Sequence, residues 1–427
     1  MNNLFYNSFD TEVLHPSETR SSHDRTPFQQ DRDRIIHSSS FRRLQAKTQV
    51  FFSGEYDFYR TRLTHSIEVA QIGRALCHAL RHESGLLRED FFIDPELVEA
   101  ICLSHDIGHP PFGHAGENTL NRLMKDLGGF EGNAQTLRII TETIYSGPAG
   151  REGMNPTRAF ADGVMKYKTL HGNMIRDNFP PRNHFLYDDQ EPYIRFLFDT
   201  SALPPELNSE KKLNKFRSIE CQIMDWADDT AYSINDVMDG LAAGLITAQK
   251  IEQWIQKQSL NAELESSVQS LLEAIHQRQL NRFFARKIGE YIRSAKLVET
   301  KNFMSPVTQR YAYRLEIDPG IRAEADLFGM IARELVFWSP QIYQLEYKAN
   351  YMLKKIFNAF EEHYLTDPDS TFALLPDFTE KYVRDEKDLH RRARLICDYI
   401  AGMTDVFAIR TYKRLFDPDF GSIMDLV

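Results

Sequence analysis

The sequence has few cysteines, few turn-forming residues and no long apolar run, and each shortage excludes a class of protein. The four cysteines, Cys77, Cys102, Cys221 and Cys397, are far apart and form no CxxC pair, which excludes a disulfide-dense scaffold. The 21 glycines and 18 prolines are about 9% of the 427 residues, which excludes collagenous and low-complexity chains. No run of about 20 apolar residues occurs, so we expect no membrane span.

The chain also lacks an excess of positive charge and a targeting segment. Its 51 basic and 61 acidic residues give a formal charge of −10, which argues against a protein that coats nucleic acid. A local basic pocket for phosphates remains compatible with this charge. The N-terminal sequence MNNLFYNSFDTEV has no basic region followed by an apolar region, so no signal peptide is visible. Together with the sparse cysteines, this predicts a cytoplasmic protein.

What the sequence does contain is helical periodicity almost throughout. Apolar residues recur three and four positions apart, and the strongest such segments are 64–81, 95–105, 217–244, 250–300 and 322–363. Asp94 and Pro95 provide a cap and a first helical residue for the second segment. The best strand candidate is 307–317. The sequence therefore predicts an all-α fold with at most a short β-hairpin.

Two segments have the composition of loops. Residues 146–156 are rich in glycine and proline, and residues 176–192 contain three prolines with clustered aspartate and arginine. Both lie between helices that carry candidate ligands, so they either cover a site or are surface insertions. The basic run 211–217 is typical of a solvated helix face.

A histidine–aspartate pair ends the apolar helix predicted over 95–105. Burying the carboxylate of Asp106 beside the imidazole of His105 is costly unless a cation pairs with both. The downstream sequence HDIGHPPFGHAGE adds His109, His114 and Glu117 within a tight Gly/Pro loop. Because His114 and Glu117 are three residues apart, the carboxylate can orient the imidazole. With His65, this group predicts a divalent metal site of imidazoles and carboxylates.

Further carboxylates come from the sequence MDWADDTAYSINDVMDG. Asp228, Tyr232 and Asp236 are four residues apart and share one helix face. Asp225 and Asp229 lie on other faces. An acidic, solvent-exposed helix would show the same pattern, and the spacing does not decide which aspartate is the ligand.

Six segments of the sequence resemble one known family in order along nearly the whole chain. They are RDRIIHSSSFRRLQAKTQVF (32–51), YRTRLTHSIEVAQIGR (59–74), LSHDIGHPPFGHAGE (103–117), GGFEGNAQTLRI (128–139), IMDWADDTAYSINDVMDG (223–240) and DYIAGMTDVFAIRTYKRLFDP (398–418). The pattern H…HD…D is the signature of the HD phosphohydrolase superfamily. The finer match is to the bacterial deoxyguanosine triphosphate triphosphohydrolases, in their shorter dGTPase-like branch. Residues 165–216 resemble that family less.

The resemblance implies a set of site residues. The implied metal ligands are His65, His105, Asp106 and Asp228. His109 would lie near the phosphates, and His114 with Glu117 would form the catalytic acid–base pair. The residues implied to contact substrate are Gln49 near the sugar and base, Arg62 at the phosphates, and Tyr232 with Asp236 at the deoxyribose. From the residues alone, Arg62 could instead pair with a carboxylate, and Gln49 could be a polar surface residue.

The resemblance also implies an architecture and an activity. An HD-domain core with an N-terminal substrate segment would occupy 1–245, and a C-terminal helical lobe would pack on it over 246–427. The implied activity is hydrolysis of a deoxynucleoside triphosphate, with dGTP favoured, to a deoxynucleoside and inorganic triphosphate. The cofactor would be a divalent ion (Mn, Mg, Fe, Zn or Ni). We also expect a homo-oligomer, with a nucleotide activator or single-stranded DNA as further partners. The alternatives are another HD phosphohydrolase, such as a nucleotidase or phosphodiesterase, or a non-catalytic nucleotide- or DNA-binding protein.

Overall fold

The computed structural model describes residues 3–15, 24–49, 60–147, 150–177, 179–199, 204–367 and 371–420. Within these ranges the chain is helical, with two short antiparallel strand pairs, and the predicted all-α class is confirmed. No helix of the described part is long and apolar enough to cross a membrane.

The helices and strands are numbered here in chain order. The helices are α1 (Ser8–Thr11), α2 (Pro27–Ile36), α3 (Ser39–Arg43), α4 (Arg62–Glu83), α5 (Pro95–Ser104), α6 (Gly113–Leu123), α7 (Gly132–Arg138), α8 (Arg158–Val164), α9 (Glu191–Phe198), α10 (Glu210–Lys215), α11 (Ile219–Ala242), α12 (Ala248–Ile255), α13 (Ala262–His276), α14 (Leu280–Arg293), α15 (Pro319–Ala332), α16 (Pro340–Glu361), α17 (Asp377–Asp385), α18 (Leu389–Ala401) and α19 (Asp405–Phe416). The strands are β1 (Tyr145–Gly147), β2 (Gly150–Glu152), β3 (Ala295–Glu299) and β4 (Tyr313–Ile317).

Helix α5 lies at the centre of the fold, packed against α2, α4, α8 and α11. The side chain of Asp94 caps it by accepting from the backbone N–H of Glu96 at 2.8 Å, as the sequence predicted. Its residues Leu97, Val98, Ile101 and Cys102 are fully buried because the helix is apolar on nearly every face. Burial of each large aliphatic side chain contributes about 1.5–3 kcal/mol to stability, so α5 is held firmly in the core and fixes the position of the residues that follow it.

The sequence predicted at most one short β-hairpin, and the described residues contain two short strand pairs. The expected strand within 307–317 begins only at Tyr313, after a 3₁₀ turn at Gln309–Tyr311, and β4 pairs with β3 over five residues. A second pair, β1 with β2, spans Tyr145–Glu152 and so overlaps the segment 146–156 that the sequence indicated as a loop. Its ladder holds only three residue pairs, too short for an alternating pattern to stand out from the glycines around it.

A buried ionic network attaches the N-terminal segment to the core. The guanidinium of Arg310 donates to Glu220 at 3.1 Å and to Asp162 at 2.8 Å. Tyr6 donates its hydroxyl proton to the other oxygen of Glu220, at 2.8 Å. The hydroxyl of Thr308 donates to Asp10 at 2.7 Å. Because all of these groups except Tyr6 are almost fully buried, each depends on its partners to offset the cost of leaving water.

Three apolar clusters form the core. The first joins α2, α4, α5 and α11 with α13–α15, so it contains residues from both sides of position 245. The second packs α6 against α16, α18 and α19. The third surrounds α9 and the segment before it. The division of the chain into lobes at 245 stays a prediction.

Candidate active site

Helix α4 contributes the first site residues from its N-terminal turn. The hydroxyl of Thr61 caps the helix by accepting from the N–H of Thr64. This fixes the first turn, which buries Arg62 and His65 on the face toward α5 and α11. The Nε2 atom of His65 lies 3.0 Å from Oδ1 of Asp228.

His105 is the C-cap residue of α5 and points its imidazole into the same space. Its Nδ1 atom lies 2.6 Å from the carbonyl oxygen of Cys102, so Nδ1 carries the proton and Nε2 is left with a lone pair. That Nε2 atom is buried, has no hydrogen-bond partner, and lies 3.6 Å from Oδ1 of Asp228 and 3.5 Å from Oδ1 of Asp106. An orphaned imidazole nitrogen facing two carboxylates is the donor arrangement that a divalent cation requires.

The electrostatics of this cluster also call for a cation. Burial by itself would lower the pKa of His105, but the carboxylates of Asp106 and Asp228 raise it to about 9. Burial would raise the pKa of Asp228, and the two histidines instead hold it well below its usual range. The donor atoms of His65, His105 and Asp228 lie within 4.8 Å of one another. The residues present therefore fit a divalent transition-metal ion.

Asp106 is placed between this group and two further side chains. Arg62 donates from Nη1 to Oδ2 of Asp106 at 2.6 Å, which is the carboxylate pairing that the sequence left open for it. The Nε atom of the same guanidinium is buried without a partner. Nδ1 of His109 lies 3.0 Å from Oδ1 of Asp106. Asp106 thus connects the His65–His105–Asp228 group to His109.

His114 and Glu117 lie about one turn apart at the start of α6. Nδ1 of His114 is 3.1 Å from Oε2 of Glu117, and the N–H of Gly132 donates to Oε1 of Glu117 at 2.7 Å. The hydrogen bond with Glu117 raises the pKa of His114. Burial would raise the pKa of Glu117, but His114 and its neighbours lower it to about 2. The His114 side chain is 68% exposed, so its imidazole is accessible to a substrate.

A side chain at position 132 would crowd Glu117 and His109. A Cβ atom there would lie 3.1 Å from Oε1 of Glu117 and 3.2 Å from Cε1 of His109. Gly132 belongs to the segment 128–139, which is one of those that resemble the family. The structure shows that the start of α7 packs directly against Glu117 and His109.

The three aspartates of α11 among which the spacing did not decide have different partners. Asp228 faces His65 and His105, as described above. Asp225 is paired with Lys166 and, at 2.6 Å, with Arg217. Asp229 is paired with Arg322 at 2.6 Å.

A cavity of about 180 Å³ opens beside His114. Gln49 and Tyr232 line it together with Phe337 and Glu346, and the rings of Tyr232 and Phe337 are stacked 6.2 Å apart. Asp236 is one turn behind Tyr232 and buried, with its carboxylate hydrogen-bonded to the Tyr232 hydroxyl. Its Oδ2 atom has no partner.

Several site residues were missed in the sequence. Lys166 and Arg217 flank Asp225, and Asp228 acts with Asp225 to raise the pKa of Lys166 against the effect of burial. Lys47 donates from Nζ to the carbonyl of His109 at 2.5 Å and supports that loop from behind. Glu346 comes from α16. Lys47 lies in a segment that resembles the family, and Arg217 ends the basic run 211–217 that was interpreted as a solvated helix face. Lys166 and Glu346 meet the site through tertiary packing.

The fold and the donor set define a class, the HD-domain proteins. The HD domain family matches residues 62–145, and the phosphohydrolase-associated domain matches residues 315–414. The chain is 35% identical to a deoxyguanosinetriphosphate triphosphohydrolase-like protein of Shewanella sediminis (strain HAW-EB3), over 97% of each chain. A protein of the same description from Haemophilus influenzae (strain PittEE) is 35% identical over 97% of this chain and 98% of its own. The deoxyguanosinetriphosphate triphosphohydrolase-like protein 2 of Deinococcus radiodurans is 34% identical over 97% of this chain and 96% of its own.

The chain belongs to the deoxyguanosinetriphosphate triphosphohydrolase-like family of HD phosphohydrolases. The family that the sequence segments resembled is thereby confirmed.

Proposed function

We propose that this protein hydrolyses deoxynucleoside triphosphates, dGTP best, to the deoxynucleoside and inorganic triphosphate. The observation that carries the proposal is the position of the His114–Glu117 pair, between the His65–His105–Asp228 group and the cavity lined by Gln49 and Tyr232. A substrate whose base occupies the cavity would present its α-phosphate to both groups.

His65, His105, Asp106 and Asp228 would hold the divalent ion. When bound, that ion would supply Lewis-acid activation of the α-phosphate and of the attacking water. The protein's own contribution is to fix the ligands. The Cys102 carbonyl sets the tautomer of His105, and Arg62 holds the second oxygen of Asp106.

His114 is the proposed general acid. Its Nδ1–H is held by Glu117, which leaves Nε2 to deliver a proton to the departing 5′-oxygen. The raised pKa of His114 keeps more of the imidazole protonated near neutral pH than in a free histidine. Water attacks the α-phosphorus, and the bond between that phosphorus and the 5′-oxygen breaks. The deoxynucleoside departs, and the three phosphates are released as one triphosphate.

The remaining phosphates would meet cations outside the ligand set. Lys166 and Arg217 share Asp225 as their counter-ion, and the unpartnered Nε of Arg62 offers a further donor. These groups would offset the charge that a triphosphate brings into a site already rich in carboxylates.

The sugar and base would occupy the cavity. The Tyr232 ring forms a wall that crowds a 2′-hydroxyl, and the free oxygen of Asp236 is an acceptor for the 3′-hydroxyl. Guanine presents two adjacent N–H donors on its pairing edge, and the carboxylate of Glu346 can accept both. This supports dGTP over the other three deoxynucleotides.

The bond assignment is tested by product analysis in ¹⁸O-labelled water. The four deoxynucleoside triphosphates are supplied separately with manganese or magnesium. We expect intact triphosphate that carries the label and an unlabelled deoxynucleoside. A nucleoside mono- or diphosphate product would instead show attack at another phosphorus and would identify a different HD phosphohydrolase.

The base assignment is tested by Glu346→Gln. The amide keeps the size of the side chain but replaces one of two acceptors with a donor, so the preference for dGTP should fall at least tenfold in kcat/KM, which corresponds to about 1.4 kcal/mol. Rates on the other deoxynucleotides should change little. An unchanged preference would remove Glu346 from base recognition.

A further inference from the structure

Beside the ligand group lies a second set of three donors, His109, His114 and Glu117. One ring nitrogen of each histidine and one carboxylate oxygen lie within 4.8 Å of one another. Two ligand atoms at about 2.1 Å from one zinc ion are about 3.0–3.4 Å apart at octahedral to tetrahedral angles. The Nδ1 of His114 and Oε2 of Glu117 are separated by 3.1 Å, which falls in that range.

The surroundings orient each of these donors. Asp106 lies 3.0 Å from Nδ1 of His109, so Nε2 is the nitrogen left available, and a carboxylate behind a ligating histidine is the usual support in metal sites. The N–H of Gly132 occupies Oε1 of Glu117 and leaves Oε2 free to bind. The absence of a side chain at Gly132 keeps the space between His109 and Glu117 open.

The charge around the three donors is favourable to a cation. Glu131 is buried close to Glu117, and burial together with that neighbouring carboxylate raises the pKa of Glu131 to about 7. The charge of Arg62 lowers the pKa of His109 and of His114, but its guanidinium is already paired with Asp106. A cation at the three donors would relieve the repulsion between the two glutamates.

We propose that His109, His114 and Glu117 form a second divalent-cation site that takes zinc-class ions, and that its occupation stops turnover. Two imidazoles and one carboxylate favour zinc, nickel or iron over magnesium. The ion would replace the proton that Nδ1 of His114 and Oε2 of Glu117 share, so the imidazole could no longer form an imidazolium. The Nε2–H left on the neutral, metal-bound ring is a much weaker acid, and protonation of the 5′-oxygen would fail. The inhibition rests on the proposed function; the binding of zinc does not.

The binding is tested by counting zinc. Protein freed of metal with a chelator is dialysed against buffered free Zn²⁺, and the bound metal is measured by mass spectrometry. We expect two zinc ions per chain in the wild type and one in both Glu117→Gln and His114→Ala. His276→Ala, which removes an exposed histidine at the end of α13, should keep two. A single zinc in the wild type, or two in both site variants, would overturn the proposal.

The inhibition is tested on the manganese-loaded enzyme. Zinc is added during dGTP hydrolysis, and the manganese retained by the protein is measured in parallel. Loss of turnover with manganese retained supports the second site, whereas loss in proportion to manganese release shows that zinc acts only at the first. If no deoxynucleotide is hydrolysed at all, the proposed function fails while the zinc count still decides the site.

Discussion

At the scale of single residues, Asp225 and Asp228 differ only in the partners that they meet. Asp228 faces two histidines and Asp225 faces two cations. Asp228→Ala should therefore lose most of its bound metal, and Asp225→Ala should retain it. Metal content per chain, measured by mass spectrometry after purification with manganese, checks both. If only Asp225→Ala lost its metal, Asp225 and not Asp228 would be the ligand.

The proton chemistry of His114 gives a second prediction. Glu117 raises the pKa of His114 above its ordinary value of 6.5, so Glu117→Gln should lower it. A general acid works only while protonated, so the alkaline limb of the kcat profile should move to lower pH in this variant. His114→Ala should retain the metal ion at the His65–His105–Asp228 group and lose about 10²–10⁴-fold in kcat. An alkaline limb that does not move in Glu117→Gln would separate Glu117 from the proton step.

Residue types were easier to predict from the sequence than residue partners. The pattern of His105, Asp106, His114 and Glu117 indicated the chemistry because these residues lie close together in the chain. Spacing did not decide which of Asp225, Asp228 and Asp229 is the metal ligand. That choice depends on which aspartates are paired with Lys166, Arg217 and Arg322. These cations come from distant segments, and helical periodicity carries no signal for such contacts.

At the scale of elements, one buried ammonium group joins two segments of the site. Nζ of Lys168 donates to the carbonyls of Met165 and Phe216, at 3.0 and 3.1 Å, and lies 3.2 Å from Asp162. The first segment carries Lys166 and the second leads into Arg217. Neither segment is regular at these positions, so Lys168 replaces the hydrogen bonds that a helix would have supplied.

Lys168→Met should therefore reduce both stability and substrate binding. Removing one partner of a buried ion pair costs about 3–5 kcal/mol, and urea unfolding measures this loss. The KM for dGTP should rise more than kcat falls, because Lys166 and Arg217 lose their alignment. Lys287→Met is the matched control, since Lys287 pairs with Glu324 outside the site. It should reduce stability with KM unchanged; equal KM changes in both variants would show a general effect of lost stability.

Elements themselves were largely predictable. The caps and the apolar spacing indicated α4, α5 and α11 to within a few residues of their observed ends. The long segment 250–300 was predicted as helical, but the structure divides it into three helices and a strand. The sequence did not show these divisions because the loops between them are short and polar rather than rich in glycine or proline. Breaks of that kind are decided by packing against other helices.

At the scale of the whole molecule, the proposed ligands come from α4, from α11 and from the residues that follow α5. A bound ion would connect all three, and its binding free energy would add to the free energy of unfolding. At a free metal concentration 100 times the Kd, the gain is about 2.7 kcal/mol. Thermal unfolding should shift upward on addition of manganese to chelator-treated wild type, and not for Asp228→Ala. A shift of equal size in that variant would place the stabilising ion elsewhere.

The buried network at Arg310 also bears on the order in which the protein is made. Tyr6 reaches Glu220 only after 214 further residues have been synthesised, and Asp10 reaches Thr308 only after 298. At about 5–20 residues per second, a ribosome needs roughly 15–60 s for that length. Throughout that interval Phe5, which is 1% exposed in the finished protein, has no completed core to enter. Phe5 and its neighbours are thus synthesised well before the partners that hold them, and the packing of this segment has to wait for those distant residues.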